Sequence, residues 1–329
     1  MSQNNVYVLK TSSSTLDQDI QRIMDLPDFK KLNPDKETYI KINANYDKEW
    51  PGCNTSPWFL DYLLKNLRKN GFNTITAVEG DLKLQPALHT LKAIHFDKIL
   101  IKHNVPFLPL ETLERENEIP GILKRSQLIS TPVLHTHTFS TISVATKNLF
   151  GILPVYREKY HEILNQKLIQ LYKQLPVFTI VDGTVGLEGG SMRMGNPVRT
   201  DLLIAGWDPL SIDCVASKIM GFERYEVPLL HFAKNQGLIQ PFVIKGDFDL
   251  HSLPSFSFTA HQPNLSKIDL FFRNNLLTKN LFTYNSFFDV FGNRLRRFYL
   301  NLYYKNNVNK ISRGPWTDYK NNWLNDKVK

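Results

Sequence analysis

The chain has 329 residues, a formal net charge of +9, 42 % apolar and 12 % aromatic residues, and two cysteines. This content supports a sizeable buried core and excludes an intrinsically disordered chain. Cys53 and Cys214 are too few for an iron–sulfur cluster held by four protein thiolates and too far apart for a disulfide framework. The opening MSQNNVYVLKTSSS lacks the charged and apolar regions of a secretory signal. No uncharged apolar run approaches the ~20 residues of a spanning helix, so a cytoplasmic protein is expected.

In chain order, Asn5 to Leu9 reads as a strand, and Leu16, Ile20, Ile23 and Met24 recur at helical spacing. Thr38 to Ile42 is the next strand. Thr55 or Ser56 can cap a helix whose first turn holds Pro57. Its apolar face is Phe59, Leu60, Leu63, Leu64 and Leu67, and Gly71 ends it. Further strands are expected at Thr74 to Val78, Ser126 to Leu134, Val177 to Val181 and Leu202 to Ala205. Ile142 to Thr146 is compatible with a helix, and Asp208 can cap another running to Ile219. This alternation predicts an α/β fold: a mainly parallel sheet with helices on both faces. The expected organisation is an α/β domain over 1–240, a junction over 241–264 and a basic aromatic helical extension over 265–329.

The extension holds 12 Lys and Arg against four Asp and no Glu, a net of +8, and 14 of the 39 aromatic residues. From Phe288 a helical stripe runs through Phe291, Leu295, Phe298, Tyr299 and Leu302. Such a stripe either packs on the main domain, leaving Arg296 and Arg297 in water, or lies on an anionic membrane surface. With the charge confined to the tail and no recognised nucleic-acid motif, no nucleic-acid partner is expected.

Polar clusters stand at the ends of four apparent strands: Lys41 and Asn43, Glu79 and Asp81, His135 and His137, and Asp182 before Gly183. In an open parallel sheet, ligands gather at such ends. His135 and His137 project to one face of an extended segment, a spacing that suits two ligands of one divalent metal. Asp182, Glu79 or Glu188 could supply a third. Hydrogen-bonded structural histidines are the alternative. Lys147 can pair a substrate carboxylate or phosphate and Asn148 can donate to an oxyanion, or both simply end a helix. GLEGGSMRMG (186–195) has neither the phosphate-loop nor the dinucleotide glycine spacing and reads as a flexible loop carrying Arg193. Cys53 would have a lowered thiol pKa if a helix N-terminus pointed at it.

The ordered set Lys41-Ile42-Asn43, Pro51-Gly52, Glu79-Gly80, Pro132 to His137, Lys147-Asn148-Leu149-Phe150-Gly151, Asp182-Gly183 and Asp208 to Asp213 resembles the Domain of Unknown Function 362 family over roughly residues 38–240. The family's lysine before Thr-His is His135 here. The cysteines of its iron–sulfur modules are absent, which removes electron transfer as a default role. The resemblance supplies a site map without a reaction. The leading expectation is an enzyme acting on a small anionic substrate. His137, Lys147 and Asp182 would be catalytic, Lys41, Asn43, Glu79 and Asn148 substrate-binding, and His135 and His137 metal-binding. The alternative is a non-catalytic binding or assembly protein held peripherally at the inner face of a membrane by residues 265–329.

Overall fold

The computed structural model describes residues 4–190, 193, 195–260 and 287–326. The strands are β1 (Asn4–Lys10), β2 (Thr38–Lys41), β3 (Ile75–Glu79), β4 (Phe107–Pro109), β5 (Arg115–Glu116), β6 (Ile119–Pro120), β7 (Gln127–Ser130), β8 (Val133–His137), β9 (Thr141–Ser143), β10 (Phe178–Glu188), β11 (Asn196–Gly206) and β12 (Phe242–Gly246). All except the small β5–β6 pair join one sheet, ordered β12-β1-β11-β10-β7-β2-β3-β4, with β8 and β9 reached through β10. Most of its pairings are parallel. The β1–β11, β10–β11 and β8–β9 pairings are antiparallel.

Helices cover both faces. On one side lie α1 (Leu16–Met24), α2 (Pro57–Lys69), α3 (Ala87–Ala93) and α4 (Phe96–Lys102), burying Ile20, Phe59, Leu63 and Phe96 against Ile40 and Ile180. Beyond α5 (Gly121–Arg125), the other side carries α6 (Ala145–Asn148), α7 (Leu164–Gln174), α8 (Pro209–Ile219) and α9 (Pro228–Asn235). These bury Ala145, Leu168, Cys214 and Leu230 against Val181 and Ile204. The C-terminal extension is helical, with α10 (Phe287–Ile311) and α11 (Thr317–Asp326). Tyr319 and Trp323 of α11 join the first core, where Tyr319 stacks on Trp58 and the Trp323 indole donates to Asp61.

Several elements depart from the sequence reading. The single strand expected over Ser126 to Leu134 is broken at Thr131-Pro132, because Pro132 has no N–H for the ladder. Ile142 lies in a strand pairing with Thr136, and only from Ala145 does the chain turn helical. The glycine-rich run connects two eleven-residue strands, β10 and β11, where Gly189 and Gly190 adopt the left-handed φ values of 98° and 70°. Residues 242–246, inside the expected junction, form an edge strand parallel to β1.

The extension departs most. Its first part, residues 265–286, and the side chains of Phe288 and Arg296 lie outside the described residues. The face of α10 that docks is Leu300, Tyr303, Tyr304 and Ile311, against Tyr46, Trp50 and Leu187. Of the two arrangements open to the stripe, packing on the domain is not the one seen among the described residues: Phe291, Leu295, Phe298, Tyr299 and Leu302 are exposed. Arg297, expected in water, donates to Leu84 O at 2.7 Å and to Asp47 at 3.2 Å. No helix among the described residues is long and apolar enough to cross a membrane.

Candidate functional site

Parallel pairing of β2 with β3 puts Lys41 beside Val78 and brings the two strand ends together. There Lys41 Nζ lies 2.7 Å from Glu79 Oε1 and donates to Ile42 O at 2.7 Å, fully enclosed. Burial pushes the Lys41 ammonium down in pKa, and Glu79 opposes that shift. Glu79 is fully employed: Oε1 also accepts from Gly80 N, and Oε2 accepts from Ala44 N at 3.0 Å. Gly151 sits over the pair. A Cβ there would stand 3.0 Å from both Glu79 Oε1 and Lys41 Nζ, so the close approach needs glycine.

Lys147 lies on α6, the turn before Gly151. Burial, then the Arg157 guanidinium, lowers its ammonium to about 7, although a small part of the side chain remains accessible. Its Nζ lies 4.3 Å from the centroid of the Phe150 ring. Among the described residues, no carboxylate stands within ion-pair distance of it. Arg157 is buried, donates to Leu153 O and faces both lysines.

His135 is 2 % exposed and its Nδ1 has no hydrogen-bond partner among the described residues; burial, then Lys147, holds its pKa down to about 4. His137 Nδ1 accepts from Phe139 N at 3.0 Å. Ring contacts continue from His137 to Phe139 (5.7 Å), from Phe139 to His161 (4.8 Å) and from His161 to Phe150 (5.8 Å). An aromatic wall therefore runs from His137 to the ring under Lys147. Phe139, 38 % exposed, is its outer edge.

The other expected residues have defined places. Asn148 donates to Ser130 Oγ at 2.9 Å, next to Lys41 in the β2–β7 register. Asn43 donates to Cys53 O, accepts from Asn45 Nδ2, and its backbone N–H meets Thr55 Oγ1. Asp182 accepts from Ser56 N, Ser56 Oγ, Thr184 N and Thr184 Oγ1. It therefore holds the start of α2, and neither candidate cap acts as one: the Ser56 hydroxyl serves the aspartate and the Thr55 hydroxyl donates to Thr131 O. Glu188 accepts from Thr259. The three carboxylates considered as third metal ligands are thus each occupied. Among the described residues no group of three or more His, Cys, Asp and Glu stands together as a ligand set. Cys53 is fully buried, and burial pushes its thiol pKa up, opposite to the lowering expected for a helix N-terminus. Arg193 donates to Asn45 O.

Arg157 and Asp213 were not picked out from the sequence as site residues. Arg157 lies in an irregular 3-10 stretch, Val155–Ile163, with no periodic pattern to mark it as buried. Asp213 accepts from Ala145 N (2.8 Å) and Thr146 N (3.1 Å), satisfying the first amides of α6 and so positioning Lys147. Only its place among the family landmarks could have flagged it. Burial raises its pKa from 3.8 to about 6. Between those values the native state holds more protons than the unfolded chain, so stability falls as pH rises through the window. Asp213→Asn should flatten that dependence, measured by urea denaturation at pH 4 and pH 7: the amide loses one acceptor at both values, but only the parent bears the cost of a buried charge at pH 7.

The fold is a doubly covered, mostly parallel sheet. Its strand ends and the α6 turn enclose a lysine–glutamate pair, a second lysine and an arginine. The chain belongs to the family described as Domain of unknown function (DUF362), whose model matches residues 38–218. It is 26 % identical over 120 residues to the thylakoid-associated protein sll1697 of Synechocystis sp., a match covering 34 % of this chain and 37 % of that protein. A crystal structure of a Thermotoga maritima protein superposes with a TM-score of 0.40 and 11 % identity, covering 71 % of this chain and 60 % of that one. The chain thus spans little more than a third of its curated relative and under two thirds of the solved structure.

Proposed function

We propose that the protein is an enzyme acting on a small carboxylate- or phosphate-bearing molecule held against Lys147, with His137 at the far end of the aromatic wall and His135 near enough to feel the Lys147 charge. One observation carries this reading: a largely buried lysine, beside a second cation, has no carboxylate within ion-pair distance among the described residues. Burying an uncompensated ammonium is costly, and an anionic ligand removes that cost. A lysine whose pKa falls near 7 is also half protonated at neutral pH, where a group can both hold and release a proton. The Lys41–Glu79 pair supports this arrangement by fixing the strand ends, and Arg157 adds positive charge.

Lys147 must be protonated to hold an anion, which sets a pH dependence. Sulfate and oxalate keep constant charge across neutral pH and serve as probes in calorimetric titration. Their affinity should fall about tenfold per pH unit as pH rises beyond 7. An affinity independent of pH between 6 and 9, or absence of binding throughout, removes Lys147 as the anion site.

A further inference from the structure

α10 is apolar on two opposite faces, and the described residues cover one. Phe291, Leu295, Phe298, Tyr299 and Leu302 stand 56, 56, 60, 41 and 43 % exposed. Their spacing, i, i+4, i+7, i+8 and i+11, puts them on a single face at 3.6 residues per turn. The opposite face is seated on the domain by Leu300 and Ile311, by Tyr303 and Tyr304 beside Trp50, and by the Arg297 bonds to Leu84 and Asp47. The helix is thus held by one face while a row of large apolar side chains points away from the domain. Isolated apolar residues on a surface are ordinary, but a continuous row of five marks an interaction site.

Charge selects the occupant. Residues 290–317 contain six Lys and Arg and no Asp or Glu. Arg294 and Lys305 are exposed and flank the stripe on one side. Beside them a groove of about 400 Å³ is lined by Lys48, Lys305, Phe298 and Leu302, pairing two ammonium groups with an apolar floor. Apolar side chains flanked by cations suit the boundary between anionic headgroups and acyl chains, where both kinds of contact are made at once. We infer that the outer face of α10 lies on an anionic lipid bilayer, the stripe entering the headgroup boundary while Arg294, Lys305 and Lys48 meet lipid phosphates. The inference is independent of the anion site at Lys147.

The test is co-sedimentation of the full chain with vesicles of phosphatidylcholine alone and of equimolar phosphatidylcholine and phosphatidylglycerol. Expected is pelleting with the anionic vesicles at low salt, weakened at high salt. Leu295→Ser/Phe298→Ser should reduce partitioning at least about tenfold, since two buried apolar side chains are lost. Arg294→Gln/Lys305→Gln should reduce it about tenfold and remove much of the salt dependence. Both pairs are exposed, so the circular dichroism and cooperative unfolding of the variants should match the parent. The inference is overturned if the parent ignores anionic vesicles, or if the stripe variant pellets as well as the parent. It is equally overturned if sedimentation velocity shows self-association that the stripe variant abolishes, which assigns the face to a second copy of the chain.

Discussion

Lys147→Met should make the protein more stable by about 1–3 kcal/mol near pH 6 and abolish the sulfate and oxalate binding proposed for the parent. Removing a charged residue usually costs stability where that charge is paired. Here the ammonium is enclosed, pushed from 10.5 to about 7 by burial and Arg157, and meets an aromatic face in place of a carboxylate. Methionine has similar length, fills the same space and has no charge to desolvate. The lost contact with the Phe150 ring offsets only about 1 kcal/mol. The pH dependence has a definite sign. Between about 7 and 10.5 the unfolded chain binds a proton at this lysine that the native state lacks, so the parent gains stability as pH rises through that window. The methionine variant should lack that rise. Denaturant titrations of both proteins at pH 6 and pH 9 measure it. Destabilisation of the variant at both pH values would mean that Lys147 is a structural cation. A group that lowers stability while enabling binding is the signature of a site kept for function.

Glu79→Gln carries the opposite expectation, a loss of about 3–5 kcal/mol. Glu79 balances the enclosed Lys41 ammonium at 2.7 Å and also accepts from Gly80 N and Ala44 N. Glutamine keeps one acceptor but leaves the lysine without its counter-charge, close to Arg157. Lys41→Met/Glu79→Gln should recover about 2 kcal/mol of that loss, because no unbalanced charge then remains. A double-mutant cycle by urea denaturation reads the coupling directly. If the double variant is as unstable as Glu79→Gln alone, the amide bonds of Glu79 matter more than its pairing with Lys41.

The difference between these two lysines was not legible in the chain. Both precede an asparagine-containing landmark, Lys41-Ile42-Asn43 and Lys147-Asn148, and both were read as anion-binding groups. Glu79, a carboxylate at a strand end, is equally consistent in sequence with a substrate ligand or a third metal ligand. Which strand end meets which depends on sheet order, and β3 lies next to β2 while β8 is reached only through β10. Asp182, expected at the end of a strand closing at Val181, lies inside β10, which runs on to Glu188; its four donors come from Ser56 and Thr184, and Ser56 lies 126 positions away. Arg157 had no local pattern to reveal it.

The sequence by itself determined the elements whose signals are local. The strand at Thr38, the Pro57 helix with its apolar face, the Asp208-capped helix and the order of the family landmarks all rest on side-chain periodicity, capping and proline within a few residues. It also determined that α/β alternation would produce a mostly parallel sheet with two covered faces. The tertiary structure alone decided which polar groups neutralise one another and which remain without a counter-charge, because ion pairing depends on distances between residues far apart in the chain. It likewise decided which face of α10 is buried. Phe291, Leu295, Phe298, Tyr299 and Leu302 form as good an apolar stripe as Leu300, Tyr303, Tyr304 and Ile311. Periodicity cannot choose between two apolar faces; the shape and aromatic surface of Tyr46 and Trp50 on the domain do.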